Sequence, residues 1–191
     1  GFICLFLGVM LSFVIHKVRP RGRGVLEMLA VLPYSLPGTV LAIGCILAWS
    51  GAFGINLYNT IWIILIAYAA RYLSYTLKSC SASLQQVHSS LEEASRMCGA
   101  SRLESLTDVT VPLIKPAMVS SFFLVFLPAM RELTTSVLLV GPNSKTLGVS
   151  IYQLRSGGYM APAAALSVIT IGIIMICNAV VKSIVKDKKG V

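Results

Sequence analysis

Five stretches of this chain run almost without a charge: residues 2–15, 25–49, 59–77, 117–140 and 161–181. A helix that crosses a bilayer needs about 20 predominantly apolar residues at 1.5 Å each. Four of the stretches reach or approach that length, and the first is cut short by the start of the chain. Lipid offers exposed backbone no hydrogen-bond partners, so a spanning segment is a helix or a strand of a closed barrel. The apolarity is continuous rather than alternating, which argues against a barrel. The expected fold is therefore all-α, a polytopic transmembrane helix bundle with five spans.

Composition agrees. The chain is 56% hydrophobic and only 12% charged, against about 25% charged for a soluble domain. A formal charge of +9, from 16 Lys+Arg and 7 Asp+Glu, would point to nucleic acid in a soluble protein. Here the basic residues fall in an order that a membrane explains, so no nucleic-acid partner is expected. Lys17, Arg19, Arg21 and Arg23 follow the first stretch, and Lys78, Arg96, Arg102 and Lys115 lie between the third and fourth. Lys182, Lys186, Lys188 and Lys189 follow the fifth, while segments 50–58 and 141–160 hold only Lys145 and Arg155. Basic residues collect on cytoplasmic loops. The C-terminus is thus expected in the cytoplasm, with the first visible helix running inward. The chain opens at Gly1-Phe2-Ile3-Cys4, within an apolar run and without Met. Residues 1–191 are accordingly expected to form one N-terminally truncated transmembrane domain.

Segment 78–116 is too polar to span and too patterned for a plain connection. Leu84, Val87, Leu91, Ala94 and Cys98 recur at steps of three and four, one face of a helix. Ser90 with Glu93 and Ser101 with Glu104 fit capping boxes. Gly99 stands between them, where a left-handed helix terminus favours glycine, and Pro112 and Pro116 follow. The pattern predicts helix, glycine turn, helix and proline stop, a device that could insert into a groove on a soluble partner.

Glu93-Ala94-Ser95, three residues, Gly99, nine residues, then Val109-Thr110-Val111-Pro112 resembles the EAA loop of bacterial binding-protein-dependent ABC importer permeases (the MetI-like family). The family pattern is E-A-A, three residues, G, nine residues, I-x-L-P. The chain departs from it at Ser95, Val109 and Val111, each a small or conservative change. The resemblance implies a multi-pass permease of the bacterial inner membrane. Segment 78–116 would dock on a cytoplasmic ABC ATPase subunit, with Glu93, Ala94 and Gly99 at the contact. A periplasmic or lipid-anchored substrate-binding protein would deliver cargo, and a second permease half or homodimer mate would complete the path through the bilayer. Residues 126–152 resemble the ferric-iron branch and its relatives for polyamines, thiamine and aminoethylphosphonate. Ferric iron is the expected cargo.

Arg131 and Glu132 interrupt the fourth stretch, roughly 20 Å from its start by helical rise. Charges at that depth usually face the bundle interior or water. They would line the translocation path or form a structural pair near the outer interface. As neighbours on a helix they point about 100° apart, so each is expected to bond other helices. Pro33 and Pro37 mark either a packing kink or a hinge in the wall of the path. Arg71 is expected to snorkel to the cytoplasm. Leu154-Arg155-Ser156-Gly157-Gly158 faintly resembles the signature peptide of ABC ATPases, but the chain has no phosphate-binding G-x-x-x-x-G-K-[ST] loop.

Cys4, Cys45, Cys80, Cys98 and Cys177 form no C-x-x-C pair, and His16 and His88 stand alone. No metal site, cofactor or catalytic set is expected, so the chain is not read as an enzyme. A secondary transporter driven by an ion gradient would need acidic relay residues in its spans, and only Glu132 offers itself. A membrane scaffold would leave the Glu93–Pro112 pattern unexplained.

Overall fold

The computed structural model describes residues 1–51 and 54–186, with side chains as far as residue 183; Lys188 and Lys189 of the basic tail lie outside the described residues. Within them every regular element is helical. The order is α1 (Phe2–Phe13), a π turn (Val14–Val18), α2 (Arg23–Ser35), α3 (Gly38–Trp49), α4 (Ile61–Gln86), α5 (Ser89–Met97), α6 (Arg102–Ser105), a second π turn (Leu106–Thr110), α7 (Val111–Met130), α8 (Ser136–Leu139), α9 (Leu147–Ser156) and α10 (Met160–Lys186).

α4 is the axis, with α1, α2 and α7 packed around it. Helices in lipid approach closely through small residues and side-chain hydrogen bonds, and both occur here. A Cβ on Gly8 of α1 would stand 2.6 Å from Thr76 of α4. Four residues on, the Ser12 hydroxyl donates to the Leu77 carbonyl at 3.0 Å. Apolar clusters lie along α4: Ile15, Ala30 and Leu77 near one end, Cys4, Tyr72 and Val125 in the middle, and Ala42, Ile63, Ala67 and Leu139 toward the other. Among the described residues α10 packs chiefly against α7 and α9. Its Val168, Ile169, Ile171, Met175 and Ile176 are exposed, an arrangement unfavourable in water and natural in lipid.

Helices Arg102–Met130 and Met160–Ser183 are each long and apolar enough to cross a membrane. The second expected span is a pair, α2 and α3, bent by 109°. Pro33 lies inside α2, Leu36 is extended, and Pro37 caps the start of α3. α1 is apolar but short, and α4 is long but carries Arg71, Lys78 and several serines among its apolar residues.

The structure corrects several sequence expectations. The fourth span does not run to residue 140, because its helix ends at Met130 and α8 follows only after Arg131–Thr135. Pro112 and Pro116 do not stop a helix either. The Val111 N–H donates to the Leu106 carbonyl five residues back, so the turn before Pro112 is already widened, and α7 continues through both prolines. Leu84 shares no helix with Leu91, Ala94 and Cys98, since the chain turns at Val87–His88. His88 holds the N-cap of α5 with no side-chain cap bond, which moves Ser90 into the first turn and leaves the Ser90–Glu93 box unformed. The Ser101–Glu104 box does form. Segment 141–160, expected as the loop between the fourth and fifth stretches, contains a helix, α9, started by Thr146 accepting the Val149 N–H.

Candidate functional site

Two polar assemblies stand out among the described residues, each built around one glutamate. At one end of the bundle, α5 and α6 project with a left-handed turn at Gly99 between them (φ +94°). A side chain at such φ is strained, so glycine is the residue that lets the turn close. Glu93, Ala94 and Gly99 are exposed, Ser95, Val109 and Val111 are partly buried, and Pro112 is exposed. Glu93 makes no hydrogen bond or ion pair among the described residues. Around it lie Met97, 89% exposed, and Leu103, 76% exposed. These are polar and apolar groups held outward, and Glu93 has no partner for its charge among the described residues.

The neighbouring Glu92 is less exposed and is anchored. Its Oε1 lies 2.6 Å from Lys17 Nζ and accepts the Thr110 hydroxyl. Its carbonyl accepts the Ser105 hydroxyl at 3.3 Å. Lys17 sits on the first π turn and Thr110 on the second, so Glu92 ties α5 to the ends of both α1 and α7. Partial burial pushes its carboxyl pKa up, but the hydrogen bonds from Lys17 and Thr110 and the Lys17 charge outweigh this and leave it below the usual glutamate range. Glu104 is also held low, by the Ser101 backbone N–H and hydroxyl of its capping box. Sequence reasoning missed Glu92. The available signal was an acidic residue in the first turn of α5, across from the basic end of α1.

The second assembly joins the two helix breaks. Arg71 lies ten residues into α4 from Ile61, about 15 Å from that helix's end. Its Nη1 donates to the Leu36 carbonyl at 3.0 Å, which the bend between α2 and α3 leaves without a helical partner. Its Nε lies 3.9 Å from Glu132 Oε2. Arg71 therefore does not snorkel to the cytoplasm; the carbonyl and carboxylate within reach hold it inside the bundle. Glu132 collects the donors freed where α7 ends: the Thr135 N–H at 3.0 Å and the Thr134 hydroxyl at 2.6 Å on Oε1. On Oε2 it accepts the Tyr72 hydroxyl at 2.6 Å. The Tyr68 and Ser136 hydroxyls hydrogen-bond each other, and the one that accepts in that bond donates to the Glu132 carbonyl, which is within reach of both. A Cβ on Gly38 would collide with the hydroxyls of Thr134 and Thr135, so the start of α3 touches this break directly.

Beside this hub is a cavity of about 350 Å³ lined by Tyr34, Arg71, Tyr72, Tyr75, Arg131, Glu132 and Thr134, among others. Arg131 is exposed and has no acidic partner among the described residues. Glu132 bonds Tyr72 of α4, whereas Arg131, also expected to bond another helix, makes no such bond among the described residues, and both stand in a break rather than on a helix. Pro37 is exposed at the facing break and is not among the cavity's lining residues.

The family model described as "Binding-protein-dependent transport system inner membrane component" matches residues 5–189. Over 183 residues the chain is 29% identical to a 2-aminoethylphosphonate transport system permease protein, PhnV, of Salmonella paratyphi A, spanning 95% of this chain and 68% of that one. It is 31% identical over 138 residues to the Fe(3+)-transport system permease protein FbpB 2 of Haemophilus influenzae, covering 72% of this chain and 27% of that protein. Among solved structures, the MetNI methionine ABC transporter superposes with a TM-score of 0.73 at 18% identity, covering 98% of this chain and 88% of the other. At that identity the likeness concerns the fold.

Proposed function

This chain belongs to the family of binding-protein-dependent transport system inner membrane components, and we propose that it is the permease subunit of an ATP-driven importer, with α5–α6 as the surface that receives force from a separate cytoplasmic ATPase. The observation that carries this reading is the contrast within adjacent residues: Glu92 is anchored to both flanking helices while Glu93 is turned outward beside exposed Met97 and Leu103. A lever needs a fixed base and a free contact face, and this segment has both.

In this reading Glu93, Ala94, Ser95 and Gly99 meet the ATPase, and Val109, Val111 and Pro112 lead the segment back into α7. The distribution of basic residues supports a cytoplasmic position for this segment and for the C-terminus. A substrate-binding protein would present cargo at the opposite face, and a second permease half or homodimer mate would close the path. Pro37, Arg131 and Glu132 would then stand at that path, where the two helix breaks meet. Cargo has two supported readings. Ferric iron, expected from residues 126–152, is supported by the likeness to the Haemophilus protein. An aminoethylphosphonate is supported by the longer match to the Salmonella protein.

The test is co-purification of the full-length protein with its ATPase. Glu93→Lys and Met97→Asp should each weaken that association while leaving membrane insertion intact. Normal association and normal transport by both variants would remove the coupling assignment.

A further inference from the structure

The cavity between the helix breaks carries a charge pattern that discriminates between cargo classes. Its lining holds two arginines, Arg71 and Arg131, against one glutamate. That glutamate is already engaged, with both carboxylate oxygens accepting hydrogen bonds from Tyr72, Thr134 and the Thr135 backbone and with Arg71 alongside. A cation entering here would have to displace several of these donors and would face a surplus of positive charge. At close range that repulsion amounts to kilocalories even at an effective dielectric of about 20. Hard, highly charged metal ions need several anionic oxygens, and no group of three or more His, Cys, Asp or Glu among the described residues could supply a metal site.

An anion meets the opposite situation. Arg131 is exposed to the cavity and unpaired among the described residues. Its planar guanidinium offers parallel donors matched to two oxygens of a carboxylate, phosphonate or sulfate. The Tyr34 and Tyr75 hydroxyls, 3.1 Å apart, line the same space. A volume of about 350 Å³ lies in the range of small-molecule sites. We propose that this cavity is a way-station on the translocation path that takes a small oxyanion-bearing cargo through Arg131. This rests on the permease reading and deepens it, because it favours an oxyanion over a bare metal ion.

The experiment uses the full transport complex reconstituted in ATP-loaded vesicles, given labelled 2-aminoethylphosphonate, inorganic sulfate or ferric ion singly and in competition. At least one of the two oxyanions should be taken up. Arg131→Gln should lower that uptake about tenfold or more, the scale of a lost charge-assisted hydrogen bond. Arg131→Lys, which keeps the charge and loses the fork, should raise KM several-fold and retain measurable transport. This second variant guards against a Gln variant that fails to assemble. Uptake of ferric ion alone, reduced by Arg131→Gln, would overturn the oxyanion class and leave the path in place. Uptake of any cargo that both Arg131 variants leave unchanged would remove the cavity from the path.

Discussion

Glu92 and Glu132 each hold a basic side chain, at least one hydroxyl and the end of an interrupted helix, yet they work in different surroundings. Glu92 bonds Lys17 and Thr110 across two π turns, with about a quarter of its side chain exposed (25%). Glu132 bonds Tyr72, Thr134 and a backbone amide and faces Arg71, with 11% exposed. At the first site water can replace any partner that moves away. At the second the partners are backbone and side-chain groups freed by two helix breaks, and lipid or packed protein would satisfy none of them. One glutamate is therefore suited to a joint that flexes, and the other to a clamp that lets helices break inside the bundle.

The largest expected effect tests the clamp. Glu132→Ala should destabilise the protein in detergent by about 3–5 kcal/mol, because it strands Arg71 beside Leu36 and orphans the Thr135 amide. Glu132→Gln, which keeps an acceptor, should cost clearly less. Thermal unfolding of the purified protein measures both. If Glu132→Ala unfolds no earlier than Glu92→Ala, the two sites are equivalent and the comparison fails.

A smaller effect belongs to the joint. Glu92→Ala should cost about 1–2 kcal/mol, one partly exposed ion pair plus one hydrogen bond. Added salt should weaken the wild-type contribution at Glu92 and barely touch that at Glu132. The pH dependence has a definite direction. The Glu92 carboxyl is held below its ordinary value, so its contribution is fully present above the ordinary glutamate range and is lost as pH falls through the lowered value. Stability of wild type against Glu92→Ala across acidic pH should converge at the low end. A difference that instead grows toward low pH would contradict the ion pair.

The positions of these two glutamates also mark how far the sequence could be read. Apolar length showed the all-helical membrane fold, and the spacing from Glu93 to Pro112 showed the family, because hydropathy and a local motif are properties of consecutive residues. The Ser101–Glu104 box was legible for the same reason: both partners lie within one turn. Arg71 was misread because its partners, the Leu36 carbonyl and Glu132, are distant in sequence. The break after Met130 was hidden by apolar residues on both sides of it, since Leu133 and residues 136–140 keep hydropathy high where no helix continues. Glu92 was overlooked in favour of Glu93, since only packing decides which of two adjacent glutamates turns inward.

The finest test separates the two bonds that Glu92 makes. Thr110 is fully buried, and Thr110→Val keeps its shape while removing the hydroxyl. The Lys17 pair survives the change, so the loss should be about 0.5–1 kcal/mol, the scale of one hydrogen bond, and less than that of Glu92→Ala. With one of its lowering hydrogen bonds gone, the Glu92 carboxyl should rise toward its ordinary value, and the acid loss of stability should begin at higher pH than in wild type. If the joint works by flexing, Thr110→Val should also loosen α5 from α7 without freeing it from α1. Hydrogen exchange should then quicken at Leu106–Thr110 and leave Val14–Val18 unchanged. Faster exchange at both π turns would mean that Glu92 holds them as one rigid unit, and the distinction between a flexing joint and a fixed clamp would be lost.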